Sequence, residues 1–288
     1  MAQTRTLQRR IRSVRNAKQI TKALEVVAAS RMRRVVQLVD GSRTYGELAA
    51  DIMRRIVANP EAKNHPFFSP AADKPTLYVV ITSDRGQAGA FNSNVFNLAI
   101  SNFKQERQKP QVIVFGRKGA RFFSHLSDIE LRGTYENIPD NPDVNVFAPL
   151  IELIEQDVTD NKIGKVVIIY TQFISSLVQK AGLFQFLPID NTPQEGEAQA
   201  AHKVYEFEPE TGEVLDEAIR LYAAAKLMQT RIESAASEHA MRMIAMGNAN
   251  RNASDLIDDL TLELNATRQA AITQEIAEIT GGAAAIAA

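Results

Sequence analysis

Along the first part of the chain, one set of positions advances by alternating steps of four and three. It reads Leu7, Ile11, Val14, Lys18, Thr21, Glu25, Ala28, Met32, Val35 and Val39. This is a heptad seam with polar intrusions, and it predicts a helix from about Arg5 to Ala58. Near the other end Leu221, Ala225, Met228, Ile232, Ala235 and His239 repeat the spacing. Further on, Leu256, Leu260 and Leu264 are expected to line one face of the same helix, which runs from about Leu215 to Ile279. In between, the period shortens. Strands are predicted over Thr76–Thr82, Gln111–Phe115, Ile129–Tyr135 and Lys165–Thr171, with further ones over Leu183–Ile189 and Lys203–Glu208. Helices are predicted over Asn94–Glu106, within Gly116–Leu126 and over Phe147–Val158. Strands alternating with helices imply a mostly parallel sheet covered on both faces.

Helix breakers sharpen this division. All eleven prolines lie between Pro60 and Pro209. Proline removes a backbone donor and clashes inside a helix, so its absence at both ends permits long unbroken helices. Four parts follow: a coiled-coil helix over 1–59, a linker over 60–75 with Pro60, Pro66, Pro70 and Pro75, an α/β domain over 76–208, and a second coiled-coil helix over 209–288. At a rise of about 1.5 Å per residue the helices would be roughly 80 and 95 Å long. The fold class is therefore α/β with long helices. The two helices are expected to pair with each other. Their seam is rich in alanine, poorer in leucine than a free-standing coil needs, so other protein is expected to surround part of them.

Composition removes several chemistries. The chain has no cysteine, which excludes disulfides, thiolate metal sites and thiol nucleophiles. His65, His125, His202 and His239 are far apart and in no metal-ligand spacing. Net charge is −1, so the molecule as a whole is no polyanion binder. No apolar run reaches the ~18 residues of a membrane-spanning helix. The first 24 residues hold many arginines and no acid, a composition shared with organellar transit peptides. The helical pattern continuing unbroken through position 25 argues against that reading.

The local motifs are weak. Ser83-Asp84-Arg85-Gly86-Gln87-Ala88-Gly89 follows a strand and opens a helix, where phosphate loops sit, but the three-glycine fingerprint is absent. Gly116-Arg117-Lys118-Gly119 reads as a basic, solvated turn. The basic run Arg5, Arg9, Arg10, Arg12, Arg15, Lys18 and Lys22 precedes heptads, as in basic-zipper DNA binders, yet the seam lacks leucine at every seventh position. Asp255, Asp258 and Asp259 read as a solvated helix face. No set of side chains forms a catalytic constellation. A nucleotide-binding α/β enzyme with helical oligomerisation arms is the alternative from a different class.

The two chain ends carry a resemblance. Arg9-Arg10-Ile11-Arg12-Ser13-Val14, then Gln19-Ile20-Thr21-Lys22-Ala23-Leu24 and Val27-Ala28-Ala29-Ser30-Arg31-Met32-Arg33, resembles the N-terminal helix of ATP synthase gamma subunits. Ile272-Thr273-Gln274-Glu275-Ile276-Ala277-Glu278 leading to Gly282-Ala283-Ala284 is similar to that family's C-terminal signature. Ser237-Glu238-His239, Arg242-Met243, Arg268-Gln269-Ala270 and the loop Ser83-Asp84-Arg85-Gly86 also fit.

The resemblance implies an antiparallel coiled coil of the N- and C-terminal helices plus a Rossmann-like domain that binds no nucleotide. It implies a non-catalytic rotor without cofactor or metal, turning inside a ring of alpha and beta subunits and meeting the epsilon subunit and the c-ring, with no nucleic-acid partner. By the same resemblance Leu24, Arg242, Arg268, Gln269, Thr273 and Glu275 would touch beta subunits, and Tyr205, Glu206 and Glu208 would meet epsilon and the c-ring. Such a chain would be a peripheral membrane protein on the cytoplasmic side of the bacterial plasma membrane. Gln87-Ala88 departs from the family's usual Leu-Cys, and the cysteine-bearing insertion of chloroplast forms is absent.

Overall fold

The computed structural model describes residues 2–57, 65–68, 73–189 and 211–287. Helix α1 covers Ala2–Val57 and helix α5 Thr211–Ala287. Between them lie β1 (Thr76–Ile81), α2 (Phe91–Phe103), β2 (Gln111–Phe115), α3 (Arg117–Phe123), β3 (Glu130–Tyr135), a 3-10 turn at Val144–Phe147, α4 (Ala148–Thr159), β4 (Lys165–Phe173) and β5 (Gln179–Leu187). The predicted strand over Lys203–Glu208 lies outside the described residues. The chain divides into two compact units, 1–28 with 242–288 and 29–241; α1 and α5 contribute to both.

The larger unit is built on a five-stranded sheet in the order β3-β2-β1-β4-β5. The first four of these pair in parallel, and β5 runs antiparallel to β4. Side chains alternate across each strand, and both faces are covered, as a parallel sheet requires. Leu77, Val79 and Ile81 of β1 join Ile113, Phe115, Val166 and Ile168 on one face. That face packs on Leu150, Ile154 and Val158 of α4, on Ala49, Met53 and Ile56 of α1, and on Ile219, Tyr222 and Ala223 of α5. Tyr78 and Val80 belong to the other face, under Val95 and Ala99 of α2 and Phe123 of α3. Phe67 and Phe68, from the proline-rich segment, are buried in the first of these cores.

Strand β5 begins at Gln179, four residues before the predicted start at Leu183. Gln179 and Lys180 pair with Phe173 and Gln172. They lie on an edge strand with one side in water, so they carry polar side chains that hide the strand in the sequence.

In the smaller unit α1 and α5 run antiparallel. Leu7 and Ile11 are buried with Leu260, flanked by Val14, Ile257 and Leu264. Toward the other end of this unit the Glu25 carboxylate lies alongside Gly247. Every predicted seam position of α1 is buried or half-buried, and the same 4-3 rhythm continues to Ile56.

The expectation for α5 needs two corrections. Leu256 is 46% exposed, and the seam instead passes through Met246, Asn250, Ala253, Ile257, Leu260, Leu264, Thr267 and Ala271. Residues spaced strictly by four drift about 40° around a helix at each step, so Leu256, Leu260 and Leu264 cannot share one narrow seam. Leu221 is 38% exposed, at the rim of a cleft with Val144, Ala148 and Ile151. There α5 turns Ile219, Tyr222 and Ala223 to the sheet instead.

Candidate functional site

In an open parallel sheet, ligands enter where the strand order reverses, beyond the carboxyl ends of the strands. Here that place lies between β1 and β4, and the protein fills it with its own side chains. The backbone N–H of Thr171 donates to Ser234 Oγ at 3.2 Å, and Ser237 Oγ donates to the Thr171 carbonyl at 3.2 Å. The Phe173 N–H donates to Glu233 Oε2 at 3.3 Å. Helix α5 thus supplies partners to the part of β4 that runs past β1. Arg43 of α1 closes the arrangement. Its Nε donates to Glu233 Oε1 at 3.0 Å and its Nη2 to the Phe173 carbonyl at 2.5 Å. Glu233 is 1% exposed, and a charge so buried is tolerated only when paired and hydrogen-bonded. The Glu233 hydrogen bond, opposed by burial, raises the Arg43 guanidinium above its ordinary value. Burial, followed by the nearby Glu233 charge, pushes the Tyr170 phenol up to about 12.

The glycine loop after β1 is likewise satisfied from within. Asp84 accepts from the N–H groups of Arg117 and Asn137, each at 3.1 Å. The Lys118 N–H donates to the Ser83 carbonyl at 3.0 Å and the Gly119 N–H to Thr82 Oγ1 at 3.0 Å. The first amides of α3, the groups that would cradle a phosphate, therefore point at the chain itself. Of the turn read as basic and solvated, Arg117 and Lys118 are exposed, while Gly116 and Gly119 are buried. Gly116 has φ of 97°, and a Cβ on it would overlap the Thr82 backbone.

The loop between β3 and the 3-10 turn is held to α5 by a second charged cluster. His239 Nε2 lies 2.8 Å from Asp140 Oδ2, and Arg231 Nη2 donates to the Ile138 carbonyl at 2.7 Å. Burial raises the Asp140 carboxyl. The His239 hydrogen bond and the charges of His239, Arg231 and Arg31 outweigh it and hold the group below its ordinary value. Among the described residues no cluster of three or more His, Asp or Glu could hold a metal ion. No described helix is long and apolar enough to cross a membrane.

The residues expected to touch beta subunits lie in the smaller unit. Leu24 and Arg242 are half-buried in it, on α1 and α5. Arg268, Gln269, Thr273 and Glu275 are exposed on α5, and Thr273 Oγ1 donates to the Gln269 carbonyl at 2.9 Å, placing these two residues one turn apart. Tyr205, Glu206 and Glu208 lie outside the described residues. The motif reading missed an apolar stripe. The seam of α5 ends at Ala271, and every residue from Ile272 to Gly281 is exposed or nearly so. Ile272, Ile276 and Ile279 recur there at i, i+4 and i+7 and are exposed. That spacing was legible; the exposure of the stripe was not.

Comparison with known proteins decides the family. A family profile described as ATP synthase matches residues 3–286. The chain is 36% identical over 286 residues to the ATP synthase gamma chain of Pelotomaculum thermopropionicum, covering 99% of this chain and 100% of that one. The chain belongs to the ATP synthase gamma-chain family. The gamma chain of Heliobacterium modesticaldum is 37% identical over 292 residues, covering 98% of each. Among solved structures, a chain of the Euglena gracilis mitochondrial ATP synthase, OSCP/F1/c-ring, in rotational state 3, superposes with a TM-score of 0.73 over 99% of this chain and 95% of that chain. At 18% identity this is a likeness of fold. A chain of the Tetrahymena thermophila mitochondrial ATP synthase central stalk/c-ring gives a TM-score of 0.64 at 25% identity, over 80% of this chain and 99% of that chain. The fold expected for the family, long terminal helices with a mostly parallel α/β unit, is the one observed.

Proposed function

We propose that this gamma chain is the central-stalk rotor of an F-type ATP synthase, passing torque between a membrane c-ring and the catalytic beta subunits without catalysing a reaction itself. The observation that carries this is the end of α5. Three isoleucines stand exposed on a single helix that has lost its coil partner, a surface that calls for a sleeve of other protein. The paired stretch suits a shaft. One charge crossing 100 mV releases about 2.3 kcal/mol, and two helices packed along a seam resist bending better than one. Asymmetric contacts would favour a different conformation in each beta subunit, so the stalk angle would set nucleotide affinity. The self-filled crevice at the end of β4 speaks against the nucleotide-binding enzyme.

The partners are the ring of alpha and beta subunits, the epsilon subunit and the c-ring, and the chain works as a peripheral membrane protein on the cytoplasmic side of the bacterial plasma membrane. Leu24, Arg242, Arg268, Gln269, Thr273 and Glu275 touch beta subunits, while Tyr205, Glu206 and Glu208 meet epsilon and the c-ring. The division into helix, linker, α/β domain and helix at 59, 75 and 208 is the working division of labour.

The test is Arg268→Ala with Gln269→Ala in the assembled complex. Arginine makes charge-assisted, directional bonds to carboxylates, and losing a contact made at one rotor angle should cost about 1–3 kcal/mol of coupling. ATP turnover should fall while the isolated chain keeps its helical content, because alanine is a good helix former. Full turnover would remove these residues from the contact. Stoichiometric ATP binding by the isolated chain would overturn the non-catalytic reading.

A further inference from the structure

The cleft that has Leu221 at its rim enters none of the contacts above. It lies in the larger unit, between the 3-10 turn with α4 on one side and α5 on the other. Ala148, Ile151 and Ala224 line its apolar part, with Val144 and Leu221 beside them. Its volume is about 260 Å³, below the roughly 300–1,000 Å³ of small-molecule sites and suited to one large side chain. The walls are fixed from within. Asp143 Oδ1 accepts from the Asn145 N–H at 2.9 Å at the start of the 3-10 turn, and Phe147 at its end is buried in the core. On α5 the neighbour of Leu221, Tyr222, is buried against the sheet. Val144 is 37% and Leu221 38% exposed. Apolar side chains left half-open on a fixed frame can be covered by a partner at little ordering cost.

The charges that line the cleft are Glu152, Glu217 and Arg220. Arg220 is already engaged: its Nε and Nη2 donate to Glu155 at 2.9 and 3.1 Å. The Glu155 hydrogen bond, followed by the charges of Glu155, Glu217 and Asp216 and opposed by slight burial, holds the Arg220 guanidinium above its ordinary value. Acid therefore exceeds base around it. Glu152 and Glu217 are exposed and make no ion pair or hydrogen bond among the described residues. Such a rim repels phosphate, nucleic acid and anionic headgroups. A second copy of the chain docked face to face would set acid against acid. The chain's own 190–210 stretch holds Asp190, Glu195, Glu197, Glu206, Glu208 and Glu210 against one lysine, Lys203, and no arginine, so its charge has the same sign as the rim.

We propose that this cleft is a docking site for a basic protein segment, which inserts one bulky apolar side chain beside Val144 and Leu221 and sets lysine or arginine against Glu152 and Glu217. The site belongs to the larger unit alone, so it goes beyond the stalk reading and does not depend on it. Burial of the apolar anchor supplies most of the affinity, because a few well-packed residues carry most of the binding energy at an interface. The two glutamates select the sign of the partner, since charge complementarity sets orientation and encounter more than raw affinity. Arg220 does not cancel this selection while Glu155 holds it.

The experiment titrates the full chain with labelled helical peptides and reads fluorescence anisotropy across a range of salt. One peptide is made of leucine and lysine, a second has glutamate for lysine, and a third has serine for leucine. Methyl spectra of the same mixtures locate the binding through Val144, Ile151 and Leu221. The leucine–lysine peptide should bind and shift these methyls, and the other two should bind about tenfold more weakly. Glu152→Gln with Glu217→Gln should weaken binding about fivefold at low salt and flatten its salt dependence, as the loss of two modest surface contacts would. Leu221→Ser should weaken it about tenfold at every salt and keep the native slope. Asp255→Asn with Asp258→Asn, acids of the smaller unit, should leave binding native. Should Leu221→Ser lose helical content, Val144→Ser decides in its place. Failure of the leucine–lysine peptide to bind overturns the proposal, as does equal binding of the glutamate peptide. Native affinity in the glutamine pair or in the serine variant overturns it too, and so do methyl shifts confined to other parts of the chain.

Discussion

Residues 230–240 of α5 are buried without a break, whereas from 251 to 271 the same helix buries or half-buries only Ala253, Ser254 and Ile257 and then Leu260, Thr261, Leu264, Thr267 and Ala271. The difference lies in how many surfaces each stretch meets within its own unit. Around the first stretch stand the end of β4, the Arg43 side of α1 and the loop carrying Asp140. Around the second, among the described residues, stands α1. Helix α5 does not answer the crowding with more apolar residues. It buries Thr230, Arg231, Glu233, Ser234, Ser237, Glu238 and His239, and buried polar groups must find partners. Over residues 230–240 polar bonding to the end of β4 therefore adds to the apolar contacts of Ile232, Ala235, Ala236 and Ala240, while a thin apolar seam suffices in the coil.

The largest expected effect breaks that polar fixation. Arg43→Met leaves Glu233 buried without its countercharge, and removing one partner of a buried pair costs about 3–5 kcal/mol. Urea unfolding of the isolated chain should show this loss, and a loss under about 1 kcal/mol would mean the pair behaves as a surface one.

Glycines sharpen the contrast next. At Gly116 a side chain meets both a left-handed backbone and the Thr82 carbonyl, so Gly116→Ala should cost about 2–4 kcal/mol. At Gly247 in the coil an added methyl meets the Glu25 carboxyl carbon at 3.7 Å, ordinary contact. Gly247→Ala should be neutral or stabilising by about 0.5–1 kcal/mol, because glycine costs a helix that much relative to alanine. Equal shifts in melting temperature for the two variants would erase the distinction.

The coil seam gives a smaller effect with a built-in control. Ile257 lies against Leu7 and Ile11, while its neighbour Leu256 faces water. Ile257→Ala should lower stability by about 1–2 kcal/mol, less than a fully buried isoleucine because the site is half-open. Leu256→Ala should change it by about 0.5 kcal/mol at most. A larger loss from Leu256 would restore the seam read from the sequence.

That misreading shows where legibility ended. The long helices were visible because proline is confined to the middle of the chain, and β1 and β4 because their apolar runs fit buried strands. The seam of α1 was visible because its 4-3 rhythm stays constant even though its surroundings change along the helix. Helix α5 has different surroundings along its length, and neither the seam begun at Leu221 nor the face drawn through Leu256, Leu260 and Leu264 followed the change. The role of Gly116 and Gly119 was hidden because it depends on Thr82, distant in sequence. The residues expected to make contacts at the C-terminal end rest on a family motif, and nothing local said that Ile272, Ile276 and Ile279 would be exposed.

The smallest expected effect is a pH dependence of the larger unit alone. Asp140 is held below its ordinary carboxyl value, burial being outweighed by the His239 hydrogen bond and the charges of His239, Arg231 and Arg31. A carboxylate depressed in the folded state contributes stability that is present above its unfolded pKa of about 3.9 and is lost as pH falls through the lower folded value. Asp140→Asn removes that contribution and leaves Arg231 its bond to the Ile138 carbonyl. Because Asp140 is partly open to solvent, the deficit at neutral pH should be about 1 kcal/mol or less. Urea midpoints of the native chain and the Asp140→Asn variant should differ at neutral and mildly acid pH and converge as pH falls below about 4 and Asp140 takes up its proton. The coil variants Ile257→Ala and Leu256→Ala touch no titrating group, so their differences from the native chain should hold across the same range. A gap for Asp140→Asn that persists undiminished to about pH 2 would mean that its carboxylate charge does not help hold the loop to α5, and that the Arg231 bond to the Ile138 carbonyl suffices.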